Sequence, residues 1–405
     1  MHFMREAFLH RTARIAPLAL AAALAALLAG CSSAPPAATH GILIGEYGAM
    51  TGNESTFGTS TNNGVQMAVD EANGAGGVDG EKVAVKLYDD QSESDQARLV
   101  VQRLIDSDKV SSILGEVASS NSLAAGPVCQ RAKVPMITPA STNPKVTQIG
   151  DYIFRTCYTD TFQGKVPAYF AIKKLHLTRA AVFYDNTSDY SLGLSQQFEN
   201  TFKKLGGTIT TTTSYKAGDP DFSAQLSSIK QTSPQFIYVP GYYTDVGTIA
   251  RQARSLGITV PLMGGDGWDS DKLFASAGSA LEGCYFSDHY SVQSKDPVVQ
   301  QFVNAYKAMY DGQIPDAMAA LGYDATNILL AAYKAAGKPA DGDFDSPAYR
   351  AKLRDAIAAT KDYRGVTGVI TIGPDRNAVK PAVILQIHGQ GYKYVTTITP
   401  QQISS

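Results

Sequence analysis

The sequence predicts an α/β protein made of two lobes, each built on a doubly wound parallel sheet. Strand-like and helix-like patterns alternate from residue 41 onward, and such alternation places helices on both faces of a parallel sheet. The second half of the chain repeats the scheme of the first. About 365 residues follow the first 40, which is more than one hydrophobic core normally holds, so two lobes are expected.

The first 40 residues have the pattern of an export signal followed by a tether. Basic residues precede an apolar run at 15–28, and the segment closes with "LAGC" at Cys31. The run is too short to favour a membrane-spanning helix. The small-residue pair before the cysteine resembles a bacterial lipobox, which implies a lipoprotein signal peptide at 1–30, a lipid on Cys31 and anchoring to a membrane. A plain signal peptide with an incidental cysteine is the alternative. The polar, proline-bearing stretch 31–40 is interpreted as a tether.

In the first half, short apolar runs predict strands and helical spacing predicts the segments between them. The strands are expected at 41–45, 82–88, 110–114 and 134–138, and the helices around 65–72 and 97–105. Glycines in "NGAGGVDG" can take positive φ and end the first helix.

The second half continues in the same order. Strands are expected at 180–185, 208–215, 235–239 and 259–264, and helices around 194–205, 222–229 and 246–253. Two further helices near 297–310 and 316–336 precede a hairpin-like end, whose strands are "GVITI", "AVILQIH" and "YKYV".

Composition restricts the function. The formal net charge is -2 and the mature part has no basic cluster, so nucleic acid is not an expected partner. Three cysteines follow Cys31, at positions 129, 157 and 284. At most one disulfide can form among them, and buried free thiols are expected.

Catalytic and metal-binding patterns are missing from the sequence. Of the mature histidines only His289 falls near a plausible cleft rim, and no G-x-S-x-G elbow or Walker A sequence occurs. "SSIK" falls inside an amphipathic helix without companion motifs. "DGDFD" at 341–345 begins like a calcium loop but has Ser346 and Lys352 where glycine and glutamate are needed, so it is interpreted as a solvated loop. The prediction is a binding protein without enzymatic activity, cofactor or metal.

Polar loops follow the predicted strands, where open α/β sheets bind ligands. "GEVASSNS" and "TPASTNP" in the first half offer hydroxyls and helix-start amides for an anionic group, and "GGDGWDS" in the second half offers one acid. A buried amino acid needs donors for its carboxylate and a negative partner for its ammonium. Ser119 and Thr142 could supply the first and Asp266 the second. The alternatives are helix capping for the two hydroxyls and a turn for Asp266.

At these residues the chain resembles the Leu/Ile/Val-binding group of bacterial periplasmic receptors, which are type I solute-binding proteins that feed ABC importers. The matching pieces include "NGVQMAVDEANGAGGVDG", "ITPASTNP", "YIFRTC", "AGDPDFSAQL" and "GGDGWDS". The resemblance implies a monomeric receptor of the periplasm or cell surface, with a three-segment hinge near residues 157, 288 and 370. The N-terminal lobe would be 41–157 with 289–370, and the C-terminal lobe 158–288 with 371–405. A free amino acid and an importer permease would be the partners.

The resemblance also assigns roles to individual positions. Ser119 and Thr142 would hold the ligand carboxylate, while the Ala140 carbonyl and Asp266 would hold the ammonium. Two cleft tyrosines and four residues around the ligand side chain complete the implied site: Tyr190, Tyr242, Phe57, Val117, Ala118 and Met318.

Three features depart from the family or leave alternatives open. The well-known members have a disulfide near the position of Ala118, where this chain has no cysteine, and Tyr190 lies one residue further along its loop. Glu116 beside the pocket either favours a more polar ligand side chain or is exposed to solvent. The same lobes could also serve a sensory protein, or a receptor for amides or urea-like ligands, which lack an ammonium.

Overall fold

The computed structural model describes residues 41–404. The predicted signal peptide, tether and lipidated Cys31 therefore lie outside the described residues. Within 41–404, no helix combines the length and the apolar character that crossing a bilayer requires.

The first sheet has five parallel strands. They are β1 (Ile42–Gly48), β2 (Val83–Asp89), β3 (Ser112–Leu114), β4 (Met136–Thr138) and β5 (Ile153–Arg155). Their order is β2-β1-β3-β4-β5, with Ile44 opposite both Val85 and Ser112. The helices between them are α1 (Ser55–Gly74), α2 (Ser94–Asp106), α3 (Ser119–Ala132) and α4 (Lys145–Gln148). The expected strands of this half are all present, and β5 is an addition.

The second sheet has seven strands and is parallel except at one edge. Its members are β6 (Arg179–Asp185), β7 (Thr208–Tyr215), β8 (Phe236–Tyr238), β9 (Leu262–Gly264), β10 (Tyr285–Asp288), β13 (Ala382–His388) and β14 (Gly391–Ile398). The strands β11 (Tyr363–Gly365) and β12 (Gly368–Ile370) form a separate two-stranded ribbon. The order is β14-β13-β10-β9-β8-β6-β7. β13 runs antiparallel to β10, and β14 antiparallel to β13. "GVITI" thus pairs within the ribbon and does not join the terminal hairpin.

The remaining helices lie between these strands or after them. They are α5 (Asp160–Gln163), α6 (Lys165–Lys173), α7 (Asp189–Lys204), α8 (Ser223–Gln231), α9 (Tyr243–Ser255), α10 (Asp271–Ala277), α11 (Pro297–Met309), α12 (Ala317–Ala336), α13 (Pro347–Ala358) and α14 (Pro400–Ser404). Short 3-10 turns span Asp266–Trp268 and Gly278–Leu281.

The chain returns to the first sheet after completing most of the second. Leu329 and Tyr333 of α12 and Leu353 of α13 share one buried cluster with Ile44 and Ile137 of the first sheet. Aromatic residues of α11 pack with α1 and α12 in another cluster. The first sheet is therefore covered by helices from two separate stretches of sequence, and parallel sheets are usually covered by helices on both faces.

Two glycines bring α1 and α12 into close contact. A Cβ at Gly64 would lie 2.0 Å from the Ala319 carbonyl oxygen, and a Cβ at Gly322 would lie 2.5 Å from the Thr61 carbonyl oxygen. Any larger residue would force the two helix backbones apart. The pair fixes the position of α12, whose first residues reach the cleft.

Replacing Gly322 with alanine should therefore destabilise the protein by about 1–3 kcal/mol, the usual cost of overpacking. Helix propensity alone favours alanine by about 1 kcal/mol. A loss of stability in Gly322→Ala would therefore indicate the close contact between the two helix backbones. Gly74→Ala at the end of α1 is the matched control, since a Cβ there has no neighbour within 4 Å. Urea unfolding of both variants measures the difference. A Gly322→Ala protein as stable as the control would contradict the contact.

Glu46 is an acid in the middle of β1. It is 2% exposed and its Oε2 has no hydrogen-bond partner among residues 41–404. Burial raises the pKa of Glu46 from 4.5 to about 8. Between these two pH values the folded protein holds a proton that the unfolded chain has lost, so stability from this group declines as pH rises from about 4.5 to about 8.

The Glu46→Gln variant should lose this dependence and gain stability at pH 8. One pKa unit corresponds to about 1.4 kcal/mol, and we expect a gain of roughly 2–4 kcal/mol at pH 8 with little change at pH 5. Urea unfolding at both pH values, with the exposed Glu93→Gln as control, measures it. An equal gain at both pH values would show that charge burial is not the cause.

The three described cysteines are buried free thiols. Burial raises the pKa of Cys129 and of Cys157 to about 12. These thiols are therefore protonated at neutral pH.

Candidate functional site

The predicted site residues follow the carboxyl ends of strands from both sheets. Ser119 begins α3 after β3, and Thr142 lies between β4 and α4. In the second half, Tyr190 lies in the first turn of α7 after β6, Tyr242 precedes α9, and Asp266 comes two residues after β9. In open α/β sheets this edge is where the chain can present polar loops without breaking the sheet.

Loops from the two halves touch across this edge. The ring of Phe57 meets those of Tyr242 and Tyr243 edge-on, at centroid distances of 5.7 and 5.0 Å. The Asn143 side-chain amide donates to the Asp189 carbonyl over 2.8 Å, and the Asp189 N–H donates to the Ser120 hydroxyl over 3.2 Å. The two halves are thus in a closed arrangement.

Most of the residues predicted to surround the ligand side chain lie together in the apolar part of this interface. One buried cluster contains Phe57, Val117, Ala140 and Met318. Ala118 is buried beside it, outside that cluster.

The two predicted tyrosines lie at the border of that cluster. Tyr242 packs against it and stacks on Tyr190, with ring centroids 5.1 Å apart and planes within 6°. Tyr190 itself belongs to a neighbouring cluster of the second half. The stack presents a flat aromatic wall next to Asp266, whose Oδ1 accepts from the Tyr190 hydroxyl.

Asp266 is held by three donors. Its Oδ1 accepts from Gln163 Nε2 over 2.7 Å and from the Tyr190 hydroxyl over 2.8 Å. Its Oδ2 lies 2.9 Å from His289 Nε2. Sequence reasoning missed Gln163 altogether and noted His289 only as lying near a cleft rim. The alternative prediction for Asp266, a residue in a turn, is also confirmed, because Asp266 begins a 3-10 turn.

The charge of Asp266 has no permanent counter-charge. Burial lowers the pKa of His289, although Asp266 acts in the opposite direction, so this imidazole is neutral at neutral pH. Tyr158 stacks on the imidazole at 3.9 Å. Among residues 41–404, no lysine or arginine forms an ion pair with Asp266. Its three donors are therefore neutral groups, and the site is suited to a cation.

Ser119 and Thr142 are buried but do not cap helices. The Ser119 hydroxyl accepts from the Asn143 N–H over 3.1 Å, and α3 has no side-chain cap. The Thr142 hydroxyl has no partner within hydrogen-bond distance among residues 41–404, although it lies close enough to Asp160 to lower that group's pKa. The capping alternative is wrong for both residues. Among residues 41–404 the Ser119 hydroxyl accepts one hydrogen bond and donates none, and the acceptor near the Thr142 hydroxyl is the Asp160 carboxyl group.

Glu116 corrects another expectation. It is 1% exposed, so exposure to solvent is the wrong interpretation. Its carboxyl group accepts from the Ala49 N–H over 3.2 Å and from the Ala118 N–H, which joins the loops after β1 and β3. Burial, and then the nearby Asp90, raises the pKa of Glu116 well above its usual range.

Comparison with known protein families identifies the fold family. Residues 41–392 match the family model described as periplasmic binding protein. The chain belongs to the periplasmic binding protein family. This confirms the predicted resemblance and the type I fold with parallel-sheet lobes.

Individual members of the family are similar over most of the chain. The leucine-, isoleucine-, valine-, threonine- and alanine-binding protein of Pseudomonas aeruginosa is 31% identical over 312 residues, which are 76% of this chain and 82% of that protein. The crystal structure of a leucine-binding protein from Thermotoga maritima is 40% identical with a TM-score of 0.83, over 89% of this chain and 99% of that one. A branched-chain amino acid binding protein from Streptococcus pneumoniae, solved with isoleucine, is 32% identical with a TM-score of 0.82, over 89% and 100%.

Proposed function

We propose that this protein is an extracytoplasmic receptor that binds a free amino acid with an apolar, branched side chain and delivers it to an ABC importer. The observation that carries the proposal is the buried Asp266, which has only neutral donors in a cleft between two sheets. An amino acid ammonium would supply the missing positive charge. The amino acids named for the similar proteins support this ligand class.

Each end of the ligand would meet a different half of the protein. We assign the ammonium to Asp266 and the Ala140 carbonyl, and the carboxylate to the hydroxyls of Ser119 and Thr142. The Thr142 hydroxyl, which has no partner within hydrogen-bond distance among residues 41–404, supports this assignment, since a buried hydroxyl normally has a partner.

The ligand side chain would lie against the apolar cluster. Phe57, Val117, Ala118 and Met318 are buried and offer no polar side-chain atoms. Both oxygens of the nearby Glu116 carboxyl group accept from backbone N–H groups. An apolar side chain therefore fits this pocket better than a polar one.

Closure of the two lobes would follow ligand binding. We assign 41–157 with 289–370 to one lobe and 158–288 with 371–405 to the other, with crossings near 157, 288 and 370. Contacts such as the Ala317 N–H donating to Asp269 over 2.7 Å join the halves. A ligand held from both sides would stabilise this closed form, which a permease would then recognise.

The membrane connection belongs to the same proposal. Cleavage before Cys31 and lipid on its sulfur would anchor the receptor through the tether 31–40. A Cys31→Ala protein would then appear in the soluble extracytoplasmic fraction.

Thermal-shift screening of the purified protein against the twenty amino acids tests the ligand class. We expect leucine, isoleucine and valine to raise the melting temperature most. Stabilisation by amides or urea-like compounds, with none by amino acids, would contradict the proposal. Recovery of the bound amino acid unchanged would count against turnover.

A further inference from the structure

His289, which directly follows β10, has a hydrogen-bond partner for only one of its two ring nitrogens. The residue is 3% exposed. Its Nε2 lies 2.9 Å from Asp266 Oδ2, and its Nδ1 has no hydrogen-bond partner within residues 41–404. A carboxylate only accepts hydrogen bonds, so we assign the proton of the neutral ring to Nε2. A second proton on Nδ1 would be a buried donor without an acceptor, which is costly, so His289 is a neutral donor to Asp266.

The His289 ring is held in place by contacts other than Asp266. Tyr158 stacks on it, with ring centroids 3.9 Å apart and an angle of 17° between the planes. The main-chain N–H of His289 donates to Asp288 Oδ1 over 2.7 Å. Tyr158 follows the crossing proposed near residue 157, and His289 follows the crossing proposed near residue 288. Segments at two crossings therefore fix the direction of the Nε2–H bond.

The hydrogen bonds to Asp266 are divided unequally between its two oxygens. Each oxygen of a carboxylate has about two acceptor positions. On Oδ1 both are filled, by Gln163 Nε2 and by the Tyr190 hydroxyl. On Oδ2 only His289 donates among the described residues. The remaining acceptor position of Asp266 therefore belongs to Oδ2.

Gly265 makes the double contact at Oδ1 possible. A Cβ at this position would lie 2.6 Å from the Tyr190 hydroxyl oxygen and 2.7 Å from Gln163 Nε2. Any side chain there would push both donors away from Asp266. The fold thus determines which donors occupy Oδ1 and which oxygen remains for a ligand.

We propose that His289 is a positioning residue for ligand binding: it holds Asp266 so that the ligand ammonium binds Oδ2 and not the occupied Oδ1. The inference rests on the proposed function and assigns no contact between His289 and the ligand. A neutral donor suits this role, because it orients the carboxylate without cancelling the charge that a buried ammonium requires. Without the His289 N–H, Oδ2 loses the contact that fixes its direction.

Two substitutions separate the hydrogen bond of His289 from its ring. His289→Gln keeps an N–H donor at a similar distance from the main chain and loses the ring, whereas His289→Phe keeps a ring for Tyr158 and loses the donor. Isothermal titration calorimetry with L-leucine measures both. We expect His289→Gln to bind within about threefold of the wild type and His289→Phe about 10- to 100-fold more weakly, the effect of losing one hydrogen bond to a charged group.

A histidine outside the cleft provides the matched control. His388 forms another histidine–carboxylate pair, with its Nδ1 2.8 Å from Glu282 Oε1 on the surface, so His388→Phe should bind leucine like the wild type. If His289→Phe does not fold, His289→Asn takes its place. The asparagine amide nitrogen ends near the position of Nδ1 and falls short of Asp266, so this variant should weaken leucine binding to the same extent.

The outcomes separate the hydrogen bond from packing, and this inference from the proposed function. A loss in His289→Gln as large as that in the variant without the donor would assign the effect to the ring and overturn the inference. Wild-type affinity in His289→Phe or His289→Asn would overturn it as well. In both cases the wild type still binds leucine and the proposed function stands. Wild-type protein that binds none of the twenty amino acids would overturn the proposed function, and this inference with it.

Discussion

The Asp266→Asn variant should bind L-leucine about 2–5 kcal/mol more weakly than the wild type, the usual cost of removing one partner of a buried charge pair. This is roughly two to three decades or more in affinity. Asparagine keeps the size of the side chain and one acceptor oxygen for the donors Gln163, Tyr190 and His289. It carries no charge, so a bound ammonium would lie in a dry site without a counter-charge.

Isothermal titration calorimetry of the variant and a control decides this prediction. Asp185→Asn is a suitable control, because Asp185 is a buried acid at the end of a strand in the same sheet, and its side chain accepts from the N–H groups of Thr187 and Ala217. We expect wild-type affinity in that protein. Unchanged leucine binding by Asp266→Asn would refute the ammonium assignment and favour a ligand without an ammonium, such as an amide.

Removing both proposed carboxylate donors should have an effect of similar size. We expect Ser119→Ala with Thr142→Val to weaken leucine binding by about 3–6 kcal/mol, because each hydrogen bond to a charged group contributes about 1.5–3 kcal/mol. The Thr142 hydroxyl makes no hydrogen bond within the described chain, so valine removes none from the folded protein. The Ser119 change removes one acceptor, for the Asn143 N–H.

The single variant Thr142→Val distinguishes an effect on ligand binding from an effect on stability. Thr142→Val alone should melt near the wild-type temperature and still bind leucine more weakly. Thr326→Val is its control, because that buried hydroxyl donates to the Gly322 carbonyl over 2.7 Å, far along α12 from the cleft. That change should lower stability and leave affinity unchanged. A double variant with wild-type affinity would place the ligand carboxylate elsewhere.

The sequence was sufficient to predict those parts of the site that depend on sheet topology. Ser119 and Asp266 follow strands whose apolar runs are easy to recognise, and the carboxyl ends of parallel strands meet at one edge. Gln163, His289 and Asp160 lie instead at the crossings between the two halves. Their positions depend on how the chain passes from one sheet to the other, and no local pattern encodes this path.

Sequence patterns also could not predict that a single acidic residue is buried. Glu116 follows a strand in a polar loop, where exposure is the usual expectation, but two backbone N–H groups from different loops enclose it. The same limit applies to short elements. The strands β5 and β10 have three and four residues, too few for a periodic signal. The ribbon β11–β12 shows that an apolar run predicts a strand but not its partner.

A crystal structure of the protein with L-leucine tests the central claim most directly. The account predicts the ligand between the two sheets, with its ammonium nitrogen about 3 Å from an Asp266 oxygen and its carboxylate at a similar distance from the hydroxyls of Ser119 and Thr142. Leucine in the cleft without contact to Asp266, or with its carboxylate turned away from Ser119 and Thr142, would contradict the claim that the two lobes each hold one end of the zwitterion.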